Sequence, residues 1–337
     1  MSRNLRVAIV GATGAVGIEL LRLIEKRDFP VGQLKLLASA KSAGKTLRFR
    51  DRELGLETLT PEAFTGVDLA LFSAGAEASR TYAPLAAAAG AVVIDNSSAF
   101  RMDPEVPLVV PEINGDDARG HRGIIANPNC TTIISLMALS PLHRAFGLRR
   151  VIAASYQAVS GAGAKGILEL QSQVSREGGG TPAVFPHPIA FNVIPHVDAF
   201  QPDGYTKEEH KFVNESRKIL HLPSLRASIT CVRVPVYRSH AIALHAEFER
   251  PVSVDRARDV LAKAPGLELN DDPARARYPV PLGTSGQDAC QVGRVRLDSA
   301  LDNALAFWVC GDQLLKGAAL NAIQIAELLV PATAFRS

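Results

Sequence analysis

The stretch LRVAIVGATGAVG, residues 5–17, decides the fold expected for this chain. A β-branched run ends at Val10, a glycine-rich turn follows, and an amphipathic helical pattern comes next. Gly11 permits the tight turn, Gly14 lets the backbone approach a pyrophosphate, and Gly17 allows close helix–strand packing at the positive helix end. A tight turn without a ligand is the alternative. The context favours a dinucleotide site formed by Gly11, Thr13, Gly14, Ala15, Val16 and Gly17.

The end of the second expected strand indicates which dinucleotide is bound. An NAD enzyme usually carries an acid there, roughly 20 residues beyond the turn, to bind the ribose 2′-hydroxyl. Residues 37–45 read LASAKSAGK, with no acid to repel a 2′-phosphate. The hydroxyls of Ser39 and Ser42 and the ammonium of Lys41 can bind one, so NADP is favoured over NAD. A solvated polar loop remains the alternative for any one of these residues.

The pattern along the chain indicates two kinds of domain. In the first third, short β-branched runs alternate with helical patterns, which predicts a parallel sheet with crossover helices. From about Val151 the strands become longer, at residues 151–157, 228–236 and 241–249, which predicts an α+β domain on a mostly antiparallel sheet. Residues 178–195 are rich in Gly and Pro and are expected to form a long loop. A final helical pattern spans residues 313–329.

Composition excludes several classes of protein. The 337 residues are 47% hydrophobic and 21% charged, enough for a buried core in two domains or one large one. The net charge is +3 without a polycationic tract, which removes the usual support for nucleic-acid or membrane-surface binding. Neither a secretory signal nor a membrane-spanning stretch is recognisable, so we expect a cytoplasmic protein. Four widely separated cysteines lack zinc-site spacing, which predicts reduced thiols and no metal site.

Cys130 is the candidate nucleophile. It lies between a short strand candidate, residues 123–126, and an apolar helical pattern, residues 133–139. Pro128 keeps Asn127 extended, and Asn129 is a good N-cap, so Cys130 should fall in the first helical turn. Backbone N–H groups there stabilise a thiolate and can receive an oxyanion. A buried structural cysteine is the usual alternative, and it is the interpretation for Cys231, Cys290 and Cys310.

Several motifs together resemble one enzyme family along nearly the whole chain. They are GATGAVG at 11–17, NSSAFR at 96–101, NCT at 129–131, SYQAVSG at 155–161, EEHK at 208–211, the segment 233–240 and KGAALN at 316–321. In this order they are similar to the aspartate-semialdehyde dehydrogenase family.

The resemblance implies a reaction through a cysteine thioester. Cys130 would attack the aldehyde, hydride would pass to NADP, and phosphate would release the thioester as an acyl phosphate. In the biosynthetic direction aspartyl phosphate is reduced to the semialdehyde, on the route to lysine, threonine and methionine. His240 matches the acid/base histidine, which would take the thiol proton and return it. Gln157 matches a glutamine that orients the substrate. Ser239 stands where the family frequently has glycine.

The same resemblance implies the binding groups. Arg233 would grip the substrate carboxylate, since a planar fork suits a bidentate contact. Glu208 would meet the substrate ammonium, although a capping box at Thr206 would by itself explain the acids there. The residues matching the phosphate pocket are Arg101, Lys211 and Asn129. Asn321 matches a residue that contacts the nicotinamide amide.

The implied organisation is an α/β chain with a Rossmann-type NADP-binding domain and a second α+β catalytic and dimerisation domain. We expect the first at residues 1–127 plus 312–337, with the C-terminal helix returning to it, and the second at 128–311. In the family the central sheet of the second domain forms the face of a dimer, so the expected partners are the small substrate, phosphate and a second copy of the chain.

Three alternatives remain. An N-acetyl-glutamyl-phosphate reductase shares the cofactor turn, the cysteine and a later histidine, but an acetylated amine needs no acidic partner, so Glu208 favours the aspartyl substrate. A catalytically silent NADP-binding paralogue would be supported by loss of Cys130 or His240, and both are present. Glyceraldehyde-phosphate dehydrogenase shares the chemistry but matches the motifs less well.

Overall fold

The computed structural model describes residues 4–175 and 180–330, which fall into two units. The first comprises residues 1–129 and 318–337, and the second residues 130–317. The junctions therefore lie near the expected bounds, a little later in the chain at both places. Residues 178 and 179 of the expected loop lie outside the described residues.

Among its described residues, the first unit contains seven strands and three α-helices before the chain enters the second unit, and four of the strands, the second to the fifth, follow one another without an α-helix between them. In chain order its elements are β1 (Leu5–Val10), α1 (Ala15–Lys26), β2 (Val31–Ala38), β3 (Thr46–Phe49), β4 (Arg52–Thr58), β5 (Leu69–Phe72), α2 (Ala76–Ala88), β6 (Val92–Asp95), α3 (Pro111–Asn114) and β7 (Ile124–Ala126). The strands form one sheet in the order β3-β4-β2-β1-β5-β6-β7. All pairings are parallel except β3 with β4.

The second unit is built on a six-stranded sheet. Its elements are α4 (Cys130–Phe146), β8 (Leu148–Gln157), α5 (Ala164–Val174), α6 (Lys207–Ile219), β9 (Arg226–Arg233), β10 (His240–Phe248), α7 (Val254–Ala262), β11 (Leu267–Leu269), α8 (Pro281–Thr284), β12 (Cys290–Leu297) and β13 (Ala304–Gly311). The strand order is β11-β12-β13-β10-β8-β9. The pairs β12–β13, β13–β10 and β10–β8 are antiparallel, and the two outer pairs are parallel.

A π-helical turn follows at Leu315–Ala319, and the last element among the described residues is α9 (Leu320–Leu329). Within the first unit α9 packs on α1, α3 and β6. The Arg27 guanidinium, just after α1, forms two hydrogen bonds of 2.7 and 2.8 Å with the Glu327 carboxylate of α9. Apolar burial continues along α9 at Ile323 and Ile325, so the last helix completes the core of the first unit.

The expected fold class is confirmed, with some differences in the elements. The hairpin β3–β4 was not predicted, because its turn at Arg50 and Asp51 lacks the usual Asn-Gly signal although Arg50 has a φ of 53°. The expected strand 228–236 ends at Arg233, shortly before Pro235, which has no N–H for a ladder. Residues 180–195 contain no helix or strand, as expected. No helix among the described residues has both the length and the apolar character needed to cross a bilayer.

Candidate active site

Cys130 is the first residue of α4, as predicted. The helix that follows is buried on nearly every side from Thr131 to Ser140, so its first turn is held rigidly. The thiol carbon lies against the turn that follows β13, where a Cβ placed on Gly317 would come within 2.9 Å of the Cys130 Cβ. Only glycine therefore fits at 317 without displacing the cysteine. Cys130 itself is half-buried, unlike the other three cysteines, which are buried.

Strand register brings three predicted residues to one edge of the second sheet. Gln157, the last residue of β8, pairs with Arg233, the last residue of β9. On the other side of β8, Tyr156 pairs with Ala241, which places His240 at the start of β10 beside the end of β8. All three side chains are at least nine-tenths buried. The pairing of neighbouring strands thus gathers residues that lie up to 83 positions apart in the sequence, Gln157 and His240.

The His240 ring is fully buried, with its two nitrogens in different surroundings. Nδ1 accepts a hydrogen bond of 3.0 Å from the backbone N–H of Ala158, so the neutral ring carries its proton on Nε2. Nε2 has no hydrogen-bond partner among the described residues. Burial, followed by the positive charge of Arg233, lowers the pKa of His240 to about 3, whereas Glu208 and a backbone hydrogen bond at Ser239 oppose that shift. The ring is therefore neutral at physiological pH, with an N–H to donate.

Arg233 is held close to this ring. Its Nη1 donates a 2.7 Å hydrogen bond to the Ala158 carbonyl, and its guanidinium carbon lies 5.7 Å from the centre of the Phe185 ring. Burial lowers the pKa of Arg233, which the negative charges of Glu208 and of the Cys130 thiolate oppose. Because a guanidinium titrates far above neutrality, the side chain stays positive. A fixed positive charge thus stands within electrostatic reach of the nucleophile.

Glu208 lies at the centre of a buried polar network. Its Oε1 accepts a 3.1 Å hydrogen bond from the Gln157 amide, and its Oε2 pairs with the Lys211 ammonium at 3.1 Å. Lys211 also contacts the Asp198 carboxylate at 2.7 Å. Burial alone would lower the pKa of Lys211, but the two carboxylates outweigh it and the net shift is upward. The network keeps Lys211 charged and fixes the Gln157 amide, whose oxygen accepts a hydrogen bond from Ser155.

Arg101 and Asn321 lie in the first unit, around the segment that leads to the cysteine. Arg101 donates to the carbonyls of Asn127 and Asn96, each at 2.9 Å. The Asn321 amide donates to the Val109 carbonyl at 2.9 Å and to Asn127 Oδ1 at 2.7 Å. Both residues, like Asn129, are buried. These bonds order the backbone that ends at Asn129.

The glycine turn of the first unit has the shape that a pyrophosphate requires. Gly11 has a φ of 84°, and a Cβ there would come within 2.5 Å of the Ser73 carbonyl oxygen. A Cβ on Gly17 would approach the Gly11 oxygen to 2.3 Å, which confirms the tight turn and the close helix–strand packing. At Thr13 and Gly14 the turn is exposed, and α1 begins without a side-chain cap or an acid in its first turn. Its N–H groups therefore suit an anionic ligand.

The sheet order locates this turn at a topological switch point. The chain continues from β1 to β2 on one side and later to β5 on the other, and dinucleotides bind outside the carboxyl ends of strands at such a point. Ser39, Lys41 and Ser42 follow β2, in and beside a short 3₁₀ turn at Ala40–Ser42, with Ser39 and Lys41 exposed. The described residues thus fit a dinucleotide whose pyrophosphate lies on α1.

Sequence reasoning missed several residues of the second unit that shape the site. Asp198, in an irregular segment with a φ of 67°, holds Lys211, and no local pattern marks it. Ser155 supports Gln157 from two positions away on β8. Gly317 stands alone within a helical pattern, which is a sequence signal for close packing that could have been used.

Each of the two units matches a model of a known protein family. Residues 6–121 match the family model "Semialdehyde dehydrogenase, NAD binding domain", and residues 139–316 match "Semialdehyde dehydrogenase, dimerisation domain". The aspartate-semialdehyde dehydrogenase of Aquifex aeolicus is 50% identical over 96% of this chain and 98% of its own length. That of Synechocystis is 51% identical over 98% of each chain.

Solved structures give the same result. A crystal structure of aspartate semialdehyde dehydrogenase II from Vibrio cholerae, complexed with ASA, superposes with a TM-score of 0.94 at 45% identity, covering 98% of this chain and 99% of that one. With a similar fold, similar length and this level of identity in both units, the chain belongs to the aspartate-semialdehyde dehydrogenase family.

Proposed function

We propose that the residues around Cys130 carry out the reversible, NADP-dependent reductive dephosphorylation of L-aspartyl 4-phosphate to L-aspartate 4-semialdehyde. The observation that carries this proposal is the grouping of a helix N-terminal cysteine with a buried Arg233, a neutral His240 and the Glu208 network in one unit. A family member with this arrangement has a nucleophile, a site for a carboxylate and a site for an ammonium group.

In the biosynthetic direction the Cys130 thiolate attacks the acyl-phosphate carbon, the C–O bond to phosphate breaks, and a thioester remains on Cys130. When bound, NADPH supplies the hydride that reduces this thioester. The C–S bond then breaks, the aldehyde leaves, and the electron pair returns to the Cys130 sulfur. Backbone N–H groups in the first turn of α4 stabilise the negative charge that develops at the reacting oxygen.

His240 serves this sequence first as a hydrogen-bond donor. Because Ala158 occupies Nδ1, the neutral ring presents its Nε2 proton to the reacting oxygen and stabilises negative charge there. Proton uptake by the ring requires Nδ1 to leave the Ala158 amide, and the backbone hydrogen bond at Ser239 favours that protonated form. The expected acid/base role is therefore proposed to involve a change of partner at Nδ1.

The charged groups match the substrate. Arg233 is proposed to bind its α-carboxylate and Glu208 its ammonium, with Gln157 held between the Glu208 carboxylate and Ser155 so that its orientation is fixed. Lys211, Arg101 and Asn129 are proposed to bind the phosphate. A buried carboxylate favours a free ammonium over an acetylated amine, which supports the aspartyl substrate over the N-acetyl-glutamyl one.

The cofactor is assigned to the glycine turn and the loop after β2. The proposed contacts are Gly11, Thr13, Gly14, Ala15, Val16 and Gly17 for the pyrophosphate, Ser39, Lys41 and Ser42 for the 2′-phosphate, and Asn321 for the nicotinamide amide. The exposed Lys41 ammonium and the absence of an acid between residues 37 and 45 support NADP.

The enzyme is proposed to work as a homodimer through the open face of the second sheet. Ile152, Tyr156 and Trp308 lie on that face, and the Tyr156 and Trp308 rings are in contact, tilted by 46° with 5.2 Å between centroids. Beside them is a cavity of about 420 Å³ with Tyr278 and Phe307 in its wall. An apolar face of this kind is typical of a protein–protein contact, and the family model covering it describes a dimerisation domain.

The activity is tested by following NADPH absorbance with purified protein, aspartate semialdehyde and NADP, with and without phosphate. We expect phosphate-dependent NADPH formation, and a much slower reaction with NAD or with N-acetyl-glutamate semialdehyde. NADPH formation that is indifferent to phosphate would contradict the acyl-phosphate step. A preference for the acetylated substrate would contradict the role of Glu208.

A further inference from the structure

Gln313 lies just beyond β13, and its polar side chain is only 2% exposed. Its Oε1 accepts a 2.7 Å hydrogen bond from the backbone N–H of Ser239, the residue directly before His240. Its Nε2 donates to the hydroxyl of Ser160. The one side chain therefore ties together two segments that lie about 80 residues apart in the sequence, at 239 and 160.

These two segments carry backbone groups that act on the His240 ring. Ala158 precedes the turn at residues 159–162 that contains Ser160, and its N–H donates to Nδ1 of the neutral ring. Ser239 supplies the backbone hydrogen bond that favours the protonated ring. Ser239 also has a φ of 74°, a conformation that glycine adopts more easily than serine, so it needs outside support. The hydrogen bond that the Ser239 N–H donates to Gln313 Oε1 is such support.

The segment that carries Gln313 is itself anchored. Asp312 is fully buried and pairs with Arg238 at 2.6 Å, while its other oxygen accepts hydrogen bonds from the N–H groups of Leu314 and Leu315 at 2.9 and 3.2 Å. The Arg238–Asp312 ion pair therefore joins the same two segments as the Ser239–Gln313 hydrogen bond, one residue earlier in each. Because the segment around Gln313 is fixed in this way, its side chain can fix the positions of the groups that it binds.

We propose that Gln313 is a positioning residue for His240, which sets the tautomer of the ring by holding in place the segment whose Ala158 N–H binds Nδ1 and the Ser239 backbone that precedes the ring. The proposal rests on the catalytic role assigned to His240 above. The charged and titratable groups around the ring are Arg233 of β9, Glu208 of α6, the Arg238–Asp312 pair, and Cys130 of α4, which interacts with Arg233. A substitution at 313 leaves all of them in place.

The test compares Gln313→Met, which keeps the length of the side chain and removes both hydrogen bonds, with the parent enzyme. We expect kcat to fall by about 10- to 100-fold, because small misplacements of a reacting group have effects of this size, while KM for NADP changes by less than about threefold. In ¹³C-histidine NMR of the full chain, the His240 resonance should titrate at least about one pH unit higher than in the parent, because loss of the tie to Ser160 releases the Ala158 N–H that keeps Nδ1 unprotonated.

Two further variants separate positioning from folding. Ser160→Ala removes only one of the two ties and should shift kcat and the titration in the same direction by less. Asn303→Ala removes hydrogen bonds to Phe248, Arg250 and Val252 at the opposite end of β13, so it should lower stability and leave the His240 titration unchanged. If Gln313→Met fails to fold, kcat and the His240 titration of Ser160→Ala test the proposal instead.

The outcomes distinguish this inference from the proposed function. A parent enzyme without phosphate-dependent activity contradicts the proposed function, whereas the NMR titration does not depend on turnover. An active parent with an unchanged kcat and His240 titration in both Gln313→Met and Ser160→Ala would overturn the positioning role. An equal titration shift in Asn303→Ala would do the same, because it would show a general loosening of the unit.

Discussion

Single residues decide the chemistry of the second unit, and Cys130 differs from the other cysteines in its surroundings. Burial raises the pKa of Cys231 far above the ordinary value and that of Cys310 to about 12, so both remain protonated and unreactive. Cys130 is instead half-buried at a helix N-terminus. The contrast supports the nucleophile chosen from the sequence.

Replacing Cys130 with serine is expected to reduce phosphate-dependent NADPH formation by at least about 10³-fold, because a nucleophile cannot be replaced by binding alone. Steady-state kinetics measures the loss, and Cys310→Ser is the matched control that should keep its rate. A Cys130→Ser enzyme with near-parental turnover would rule out the thioester.

Gly161 lies against the catalytic groups. A methyl group there would come within 2.8 Å of Arg233 Nη1 and 3.4 to 3.5 Å of the His240 Cε1 and Nε2. We expect Gly161→Ala to raise KM for the semialdehyde by about tenfold or more, on the usual scale of overpacking. Gly55→Ala, where the added methyl meets no atom within 4 Å, serves as control. Equal KM values for the two variants would contradict this account.

The burial of His240 predicts how the free energy of unfolding depends on pH. Its pKa is lowered to about 3, below the ordinary value of 6.5, so the folded protein disfavours the charged ring. As the pH falls, the unfolded chain binds a proton at this histidine before the folded protein does. The contribution of His240 to the free energy of unfolding is therefore fully present above pH 6.5 and is lost as the pH falls toward 3. Histidine NMR of the parent, assigned with His240→Asn, should show one resonance that stays neutral down to about pH 5. Titration of that resonance near the ordinary value would disprove its burial.

At the scale of elements, α6 shows how one helix start serves two purposes. Thr206 and Glu209 form a complete capping box, with the Thr206 N–H bound to the Glu209 carboxylate at 2.7 Å and the Glu209 N–H bound to the Thr206 hydroxyl at 3.3 Å. Glu209 also accepts a hydrogen bond from the Cys231 N–H of β9. The capping box therefore explains Glu209, whereas Glu208 belongs to the network around Gln157. The sequence pattern could not show which of the two acids had which role.

This division predicts opposite effects for two neighbouring substitutions. Glu209→Gln should lower the free energy of unfolding by about 1 kcal/mol and change KM little, because a glutamine amide has one acceptor oxygen for the two N–H groups, of Thr206 and Cys231, that the Glu209 carboxylate binds. Glu208→Gln should raise KM for the semialdehyde by about 10- to 100-fold, on the scale of a charged hydrogen bond, with a smaller effect on stability. Urea denaturation and steady-state kinetics on both variants measure the contrast. The reverse pattern would show that Glu208, rather than Glu209, serves the helix.

At the scale of the whole molecule, the open face of the second sheet makes the oligomer testable. Ile152 is 44% exposed on that face, and Leu85 of α2 in the first unit is 42% exposed. We expect the parent to sediment at twice the 35.9 kDa mass of the chain. Ile152→Glu should shift the equilibrium toward the monomer because it places a charge in the contact, whereas Leu85→Glu should not. A dimer equally stable in both variants would place the contact elsewhere.

The sequence by itself determined the local features of this protein. Spacing of apolar residues and glycines predicted the β1–turn–α1 unit and the helix that begins at Cys130, because these depend on neighbours within a few positions. The alternation of strand and helix patterns predicted the parallel class of the first sheet, but not its strand order. Tertiary structure alone decided which distant residues meet. The pairing of β8 with β9 and β10 places Gln157 beside Arg233 and His240, and Gln313 reaches Ser160 across 153 positions. Strand register and long-range packing are properties of the folded chain as a whole, so no local pattern could reveal the Asp198–Lys211 pair, the tautomer of His240 or the left-handed conformation of Ser239.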